Sequence, residues 1–178
     1  MNDLEFKPWP KMARHKGTVS VISEKIDGTN ACIVIQEGEV IAVQSRKRFI
    51  TPEDDNYGFA GWVYRNEEEL LKLGDGHHFG EWAGLGIQKN PLGLEQKEFF
   101  LFNTLRWGEH NKNTPSCCNV VATLFKGVLM ADTVDNVMEK LKEDRDYEPE
   151  GVIIFNLKSE IGTKVTYKHD KGKWSKED

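Results

Sequence analysis

The chain has 178 residues and is 38% hydrophobic, enough for one large domain with a real core. No apolar run approaches the ~20 residues that cross a bilayer. The start, Met1-Asn-Asp-Leu-Glu-Phe, carries early acids and no apolar stretch, so no secretory leader is expected. A formal net charge of −5 argues against coating nucleic acid by bulk charge, though not against a local basic groove.

Taken in chain order, the predicted elements are mostly strands. Residues 17–23, 31–36 and 39–45 are β-branched and apolar and read as strands, with Glu37-Gly38 as the turn between the last two. Residues 57–73 read as a helix stopped by Gly74. Residues 98–105 form an aromatic-rich strand, and 119–130 fit no single element. Thr133 begins a helix as its N-cap, followed by helically spaced apolar residues. Residues 151–155 and 163–168 are the last two strands. Strands dominate and helices are scattered, so the fold class is α+β. Neither repeats nor linkers divide the chain, which reads as one domain over 1–178 with a short basic tail at 169–178.

The cysteines are Cys32, Cys117 and Cys118, an odd number with two adjacent. A disulfide framework is not expected, a reducing cytoplasmic setting is, and a Cys-Cys pair without a second cluster is a poor zinc site. His77-His78 on a strand point to opposite faces and do not share a metal. Trp9, Trp62 and Trp107 read as core or cover.

The stretch Glu24-Lys-Ile-Asp-Gly-Thr-Asn30 sits between two apolar strands. A lysine is a nucleophile only when neutral, and a free one has a pKa near 10.4, so burial or a nearby cation must assist it. Asp27 by itself would hold the lysine charged, and so suits a metal better. The pattern alone fits a strand-end ion pair in a turn equally well. Other stretches follow in order. They are Ser45-Arg46, Phe79-Gly-Glu-Trp-Ala-Gly84 with Gly86-Ile-Gln-Lys89, the aromatic strand around Phe102, Pro149-Glu-Gly-Val-Ile153, and Lys164-Val-Thr-Tyr-Lys168.

This series resembles that of the covalent nucleotidyltransferases, the ATP-dependent DNA and RNA ligases and the mRNA capping enzymes. Glu24–Asn30 and Gly80–Gln88 are most similar to RNA ligases of the phage T4 ligase 2 type. The resemblance spans residue 24 to about 176. It implies an ATP-grasp-like adenylation domain of antiparallel sheets with flanking helices. It implies that Lys25 carries AMP from ATP to a 5′-phosphate end of RNA, which a 3′-hydroxyl then joins. A divalent metal, Mg²⁺ or Mn²⁺, is expected. The roles carry over by position. Glu24 helps read adenine, Arg46 contacts ribose or phosphate, Glu81 accepts from a ribose hydroxyl, and Phe102 stacks on adenine or belongs to the core. Asn30 lies near the phosphates, Glu150 holds the metal, and Asp27 assists with metal or end alignment.

The last motif departs from the family's Lys-x-Lys. The register ending in Lys168 puts Thr166 where the first lysine belongs, which leaves Lys168 as phosphate ligand and Lys164 as a substitute or a surface residue. Lys164, Thr166 and Lys168 share one strand face. No OB-fold domain is expected after the last motif, so a local basic surface or a partner protein would supply the grip on nucleic acid. A minimal DNA ligase, a DNA-end adenylating enzyme, and a nucleotide-binding protein without ligase activity are the alternatives.

Overall fold

A computed structural model describes residues 17–167. Its strands are β1 (Val19–Glu24), β2 (Thr29–Gln36), β3 (Glu39–Ser45), β4 (Phe49–Ile50), β5 (Gly76–Ala83), β6 (Glu98–Leu101), β7 (Cys118–Val120), β8 (Thr123–Val128), β9 (Gly151–Asn156) and β10 (Ile161–Thr166). The helices are α1 (Phe59–Arg65), α2 (Glu67–Leu70) and α3 (Thr133–Asp144). Sheet A has the order β10-β9-β1-β8 and sheet B the order β4-β3-β2-β5-β6-β7. Every described pairing is antiparallel except β6 with β7. The class is mixed α and β, with antiparallel sheets and few helices.

Strand alternation explains which face each sheet buries. On sheet B, Ala31, Ile33 and Ile35 of β2 point with Val43, Trp82, Phe99 and Leu101 onto Phe59, Val63 and Leu70 of α1 and α2. Phe59, Trp62, Trp82 and Phe99 interlock there with ring centroids 5.0–5.9 Å apart. Truncating Phe99, which is fully buried, to alanine would cost on the order of 3–5 kcal/mol. On sheet A, Ile22 and Val152 meet Val134, Val137, Met138 and Leu141 of α3. That i, i+3, i+4, i+7 spacing puts one helix stripe on the sheet. The opposite face of each sheet borders the site described below.

Several elements differ from expectation. Asn66 interrupts the helix expected over 57–73: its side-chain amide donates to Trp62 O at 2.8 Å, and its backbone leaves helical geometry (φ −113, ψ 15). A 3-10 turn, Leu71–Leu73, then ends at Gly74, whose φ is +73. The strand expected to reach 105 stops at Leu101, because the chain turns back with Thr104 N on Phe102 O at 2.9 Å. Residues 119–130 resolve into β7 and β8. Thr133 is the first helical residue rather than the cap, and its hydroxyl accepts from Met130 N at 2.8 Å. β10 is Ile161–Thr166, so it begins and ends two residues earlier than 163–168. Trp9, Lys168 and the tail at 169–178 lie outside the described residues.

Candidate active site

β1 belongs to sheet A and β2 to sheet B, so the chain crosses between sheets over Lys25 to Gly28. Backbone bonds pin the crossing: Glu24 N donates to Ala122 O and Lys25 N to Gly151 O, each at 2.9 Å. Ile26 is buried with Ala83, Phe100 and Val121 and pegs the loop into the seam. A Cβ on Gly28 would stand 2.5 Å from the Trp82 carbonyl oxygen, so only glycine lets the crossing pass this close to β5. Asp27 accepts a long hydrogen bond from Lys89 N at 3.3 Å.

Lys25 Nζ donates to Glu150 Oε2 at 2.6 Å. Glu150 stands just before β9, and Tyr167 N donates to its carbonyl at 3.3 Å. Gly151 follows with φ +149, and a Cβ there would lie 2.1 Å from Val165 O. The Glu-Gly pair is thus a joint requirement: the carboxylate for the site, the glycine for the close approach of β10.

Glu81 rises from β5 onto the same seam, and Asn30 Nδ2 donates to its carboxylate at 2.9 Å. Burial pushes the Glu81 carboxyl up to about 7; the nearby Lys25 charge and the Asn30 bond hold it down, while Glu150 and Asp27 add to the rise. The structure therefore brings Lys25, Asp27, Asn30, Glu81 and Glu150 into one electrostatic neighbourhood.

The remaining expected residues surround it. Arg46 is exposed just past Ser45, whose partner on β2 is Ala31. Phe102 is 40% exposed beyond β6, beside Phe79, which is 56% exposed; Phe102 N donates to Phe79 O at 3.0 Å. Phe102 is therefore not core. Lys164 and Thr166 lie on the β10 face opposite Val165, which packs toward α3. Lys168 lies outside the described residues. His78 turns inward, its Nε2 against Gly74 O at 2.8 Å, while His77 turns outward and stacks on Phe79. Trp107 is buried and Trp62 half-buried, both against the main core.

Glu24 ends β1, beside Lys25. Its carboxylate, 4% exposed, takes Arg145 Nη2 at 2.6 Å and Nε at 3.1 Å, and the Tyr147 hydroxyl donates to the other oxygen. The charge beside it raises Arg145 further above its ordinary range, and burial first, then Glu24, pushes the Tyr147 hydroxyl up to about 12. Residue 24 shares the α3 face of sheet A with Ile22 and Val152. Arg145 and Tyr147 were missed in the sequence: each is an ordinary residue in a polar stretch, more than a hundred positions from Glu24.

No three described His, Cys, Asp or Glu side chains come together as a metal cage. A site with one or two carboxylates suits an ion that keeps waters and takes phosphate oxygens, as Mg²⁺ does. A nucleophile-type lysine, a carboxylate within reach of it, a second carboxylate and an exposed aromatic ring form a set able to hold a nucleotide and make a bond to its phosphorus.

A family model described as RNA ligase matches residues 18–171. No curated protein matches the chain. Among solved structures, the fold is similar to Naegleria gruberi RNA ligase. A variant with ATP and Mn gives a TM-score of 0.64 at 18% identity, covering 85% of this chain and 50% of that one. A variant with AMP and Mn gives 0.63 at 18% identity, with the same coverage of 85% and 50%. The ligase with PPi gives 0.62 at 19% identity, again over 85% and 50%. The chain thus spans about half the length of those ligases, and at these identities the likeness is one of fold.

Proposed function

The chain belongs to the RNA ligase family, and from that premise we propose that it is an ATP-dependent RNA ligase with a nucleotidyltransferase fold, working through a covalent lysine–AMP. The observation that carries the reading is Lys25 at the sheet crossing, 2.6 Å from Glu150, with Glu81 on the adjoining strand. The similarity of Glu24–Asn30 and Gly80–Gln88 to the phage T4 ligase 2 type supports that subtype. We place the reaction in the cytoplasm, where ATP is available.

In this reading Lys25 Nζ, once deprotonated, attacks the α-phosphorus of ATP. The N–P bond forms as the α–β bridging P–O bond breaks, and pyrophosphate leaves with that electron pair. A 5′-phosphate oxygen of RNA next displaces the lysine and takes the AMP. A 3′-hydroxyl oxygen, losing its proton, then attacks the phosphorus of that RNA 5′-phosphate; the phosphodiester forms as the anhydride P–O bond breaks and AMP leaves with the bridging oxygen. A divalent cation, Mg²⁺ or Mn²⁺, would be held by Glu150, with Asp27 near, and would neutralise phosphate charge. Glu81 and Asn30 hold the ribose and phosphate side, Phe102 offers a stacking face, and Arg46, Lys164 and Lys168 meet phosphates. Glu24 acts from behind the nucleophile, through Arg145 and Tyr147.

A nucleotide-binding protein without joining activity remains the second reading. Thr166, beside Gly151 on β10, stands where the family's first phosphate lysine is expected. Incubation with ATP labelled at the α-phosphate and Mg²⁺, then a denaturing gel, tests the proposal. Acid-labile label on the wild type and none on Lys25→Ala is expected, followed by preference for a ribose over a deoxyribose 3′-end. Label surviving in Lys25→Ala, or none on AMP-free wild type with any divalent metal and nucleotide, would overturn it.

A further inference from the structure

Cys117 and Cys118 take no part in the chemistry proposed above. Neighbours on an extended strand point to opposite faces; these two do not. Cys118 N donates to Pro115 O at 3.0 Å, so the chain turns over Pro115 to Cys118 and enters β7 only there. The Cys118 thiol donates to the Cys117 sulfur, which puts both sulfurs on one side of the turn. Ser116 locks the turn to α2, its backbone N and its hydroxyl donating to Glu69 Oε1 at 2.8 and 2.9 Å. Both cysteines are half-buried against the main core, whereas Cys32 is buried. Among the described residues no third ligand-type side chain joins the pair as a metal cage.

We propose that Cys117 and Cys118 are a redox-sensitive dithiol, which a peroxide closes to a disulfide between neighbours and which thereby slows adenylation at Lys25. The effect on Lys25 rests on the proposed function; the thiol chemistry does not. Cys117 reacts first. The hydrogen bond from Cys118 holds its thiol below the ordinary range, and the same bond, with burial, pushes Cys118 above it. The Cys117 thiolate attacks one peroxide oxygen: the S–O bond forms as the O–O bond breaks, and hydroxide leaves and is protonated to water. The Cys118 sulfur, losing its proton, then attacks the Cys117 sulfur; the S–S bond forms as the S–O bond breaks, and a second water leaves. The pair is oxidised by two electrons and the peroxide is reduced to water. An S–S bond of about 2.05 Å is far shorter than a hydrogen bond between sulfurs, so closing it draws Cys118 away from Phe99, its partner on β6. The strand carries that pull inward. Val121 is buried with Ile26, and Ala122 O accepts from Glu24 N at 2.9 Å. Those two contacts hold the crossing that presents Lys25.

The test uses the full chain, reduced, freed of reductant and treated with hydrogen peroxide. Free thiols are then counted under denaturing conditions and the intact mass is taken. Of the chain's three thiols only one should remain, with a loss of about two mass units for the two thiol hydrogens and full reversal by dithiothreitol. A digest should place the disulfide within the single peptide that holds residues 117 and 118 and leave Cys32 free to alkylate. Cys118→Ser should stop at a Cys117 sulfenic acid that dimedone traps, and Cys117→Ser should keep both of its remaining thiols. Wild-type labelling with ATP should slow several-fold after peroxide and recover with dithiothreitol. The double variant Cys117→Ser/Cys118→Ser should label like untreated wild type with or without peroxide. Three thiols surviving peroxide, oxygen gained at either cysteine in place of hydrogen lost, or a disulfide between chains would overturn the dithiol. A disulfide that leaves labelling unchanged would overturn the link to Lys25. An untreated wild type that takes no label would instead bring down the ligase reading and that link with it, while the thiol count would still decide the dithiol.

Discussion

Lys25 Nζ and the Glu150 carboxylate meet at 2.6 Å although 125 positions separate them in the chain. An ammonium has no lone pair, so this contact describes a resting pair that must part before Lys25 can attack. Glu150 would leave the lysine by turning to a divalent cation that also takes the phosphate oxygens. The pair is partly solvated, with side chains 22% and 33% exposed, and partly exposed ion pairs contribute at most about 1 kcal/mol. Glu150→Gln is therefore expected to melt within a few degrees of wild type while losing at least ~100-fold in the rate of Lys25 adenylation. Melting curves beside labelling rates decide it; a wild-type labelling rate would remove Glu150 from the chemistry.

Glu81 makes stability depend on pH. Its carboxyl titrates at about 7 in the fold against a reference of 4.5. Between those values the folded chain holds a proton that the unfolded chain has released. Stability from this group is full below 4.5, falls as pH rises, and levels off above about 7. At about 1.4 kcal/mol per pKa unit the drop is on the order of 3 kcal/mol. Glu81→Gln keeps an acceptor for Asn30 and should flatten this slope. Urea midpoints for both proteins between pH 5 and 8 provide the check, and parallel curves would count against the buried-carboxyl account.

Gly151 is required by geometry rather than by chemistry. Its φ of +149 is unfavourable for any other residue, and a Cβ there would overlap Val165 O at 2.1 Å. Gly151→Ala should cost about 2–3 kcal/mol or more and displace Glu150, so adenylation falls with stability. Gly162, on the paired strand, makes a good control: a Cβ there meets only Ile153 and Phe155 side chains at 3.9 Å. Gly162→Ala should stay within about 0.5 kcal/mol of wild type. Equal melting temperatures for the two variants would refute the argument.

Lys25, Glu81 and Glu150 could be picked out because the stretches that carry them resemble, in order, those of the covalent nucleotidyltransferases, and the structure does bring them together. What could not be read was set by tertiary partners. Asn66 looks like a tolerable helix residue until its amide bonds the Trp62 carbonyl. Phe102 could have been core or an adenine-stacking ring, because an aromatic strand is apolar on both faces in composition and only the fold decides which ring is left uncovered. Phe79 is exposed for the same reason. Arg145 gave no signal, since one arginine in a charged chain is distinguished only by what it faces.

Glu24 offers the last prediction. A carboxylate 4% exposed is tolerated only because Arg145 and Tyr147 satisfy it. Arg145 ends α3, and the segment from there leads to Glu150, so the Glu24 cluster ties the strand that ends at the nucleophile to the loop that brings its carboxylate. Arg145→Met strands a buried charge and should cost about 3–5 kcal/mol. Adding Glu24→Gln removes that charge and should restore much of the loss, because breaking a buried pair costs more than replacing it. The double variant should then fold near wild-type stability but adenylate slowly, with kcat reduced more than KM for ATP, because Lys25 and Glu150 are held less firmly. If the Glu24 side chain instead read adenine, the loss would fall on KM. Steady-state labelling at varied ATP, on the double variant and on Glu24→Gln alone, separates the two.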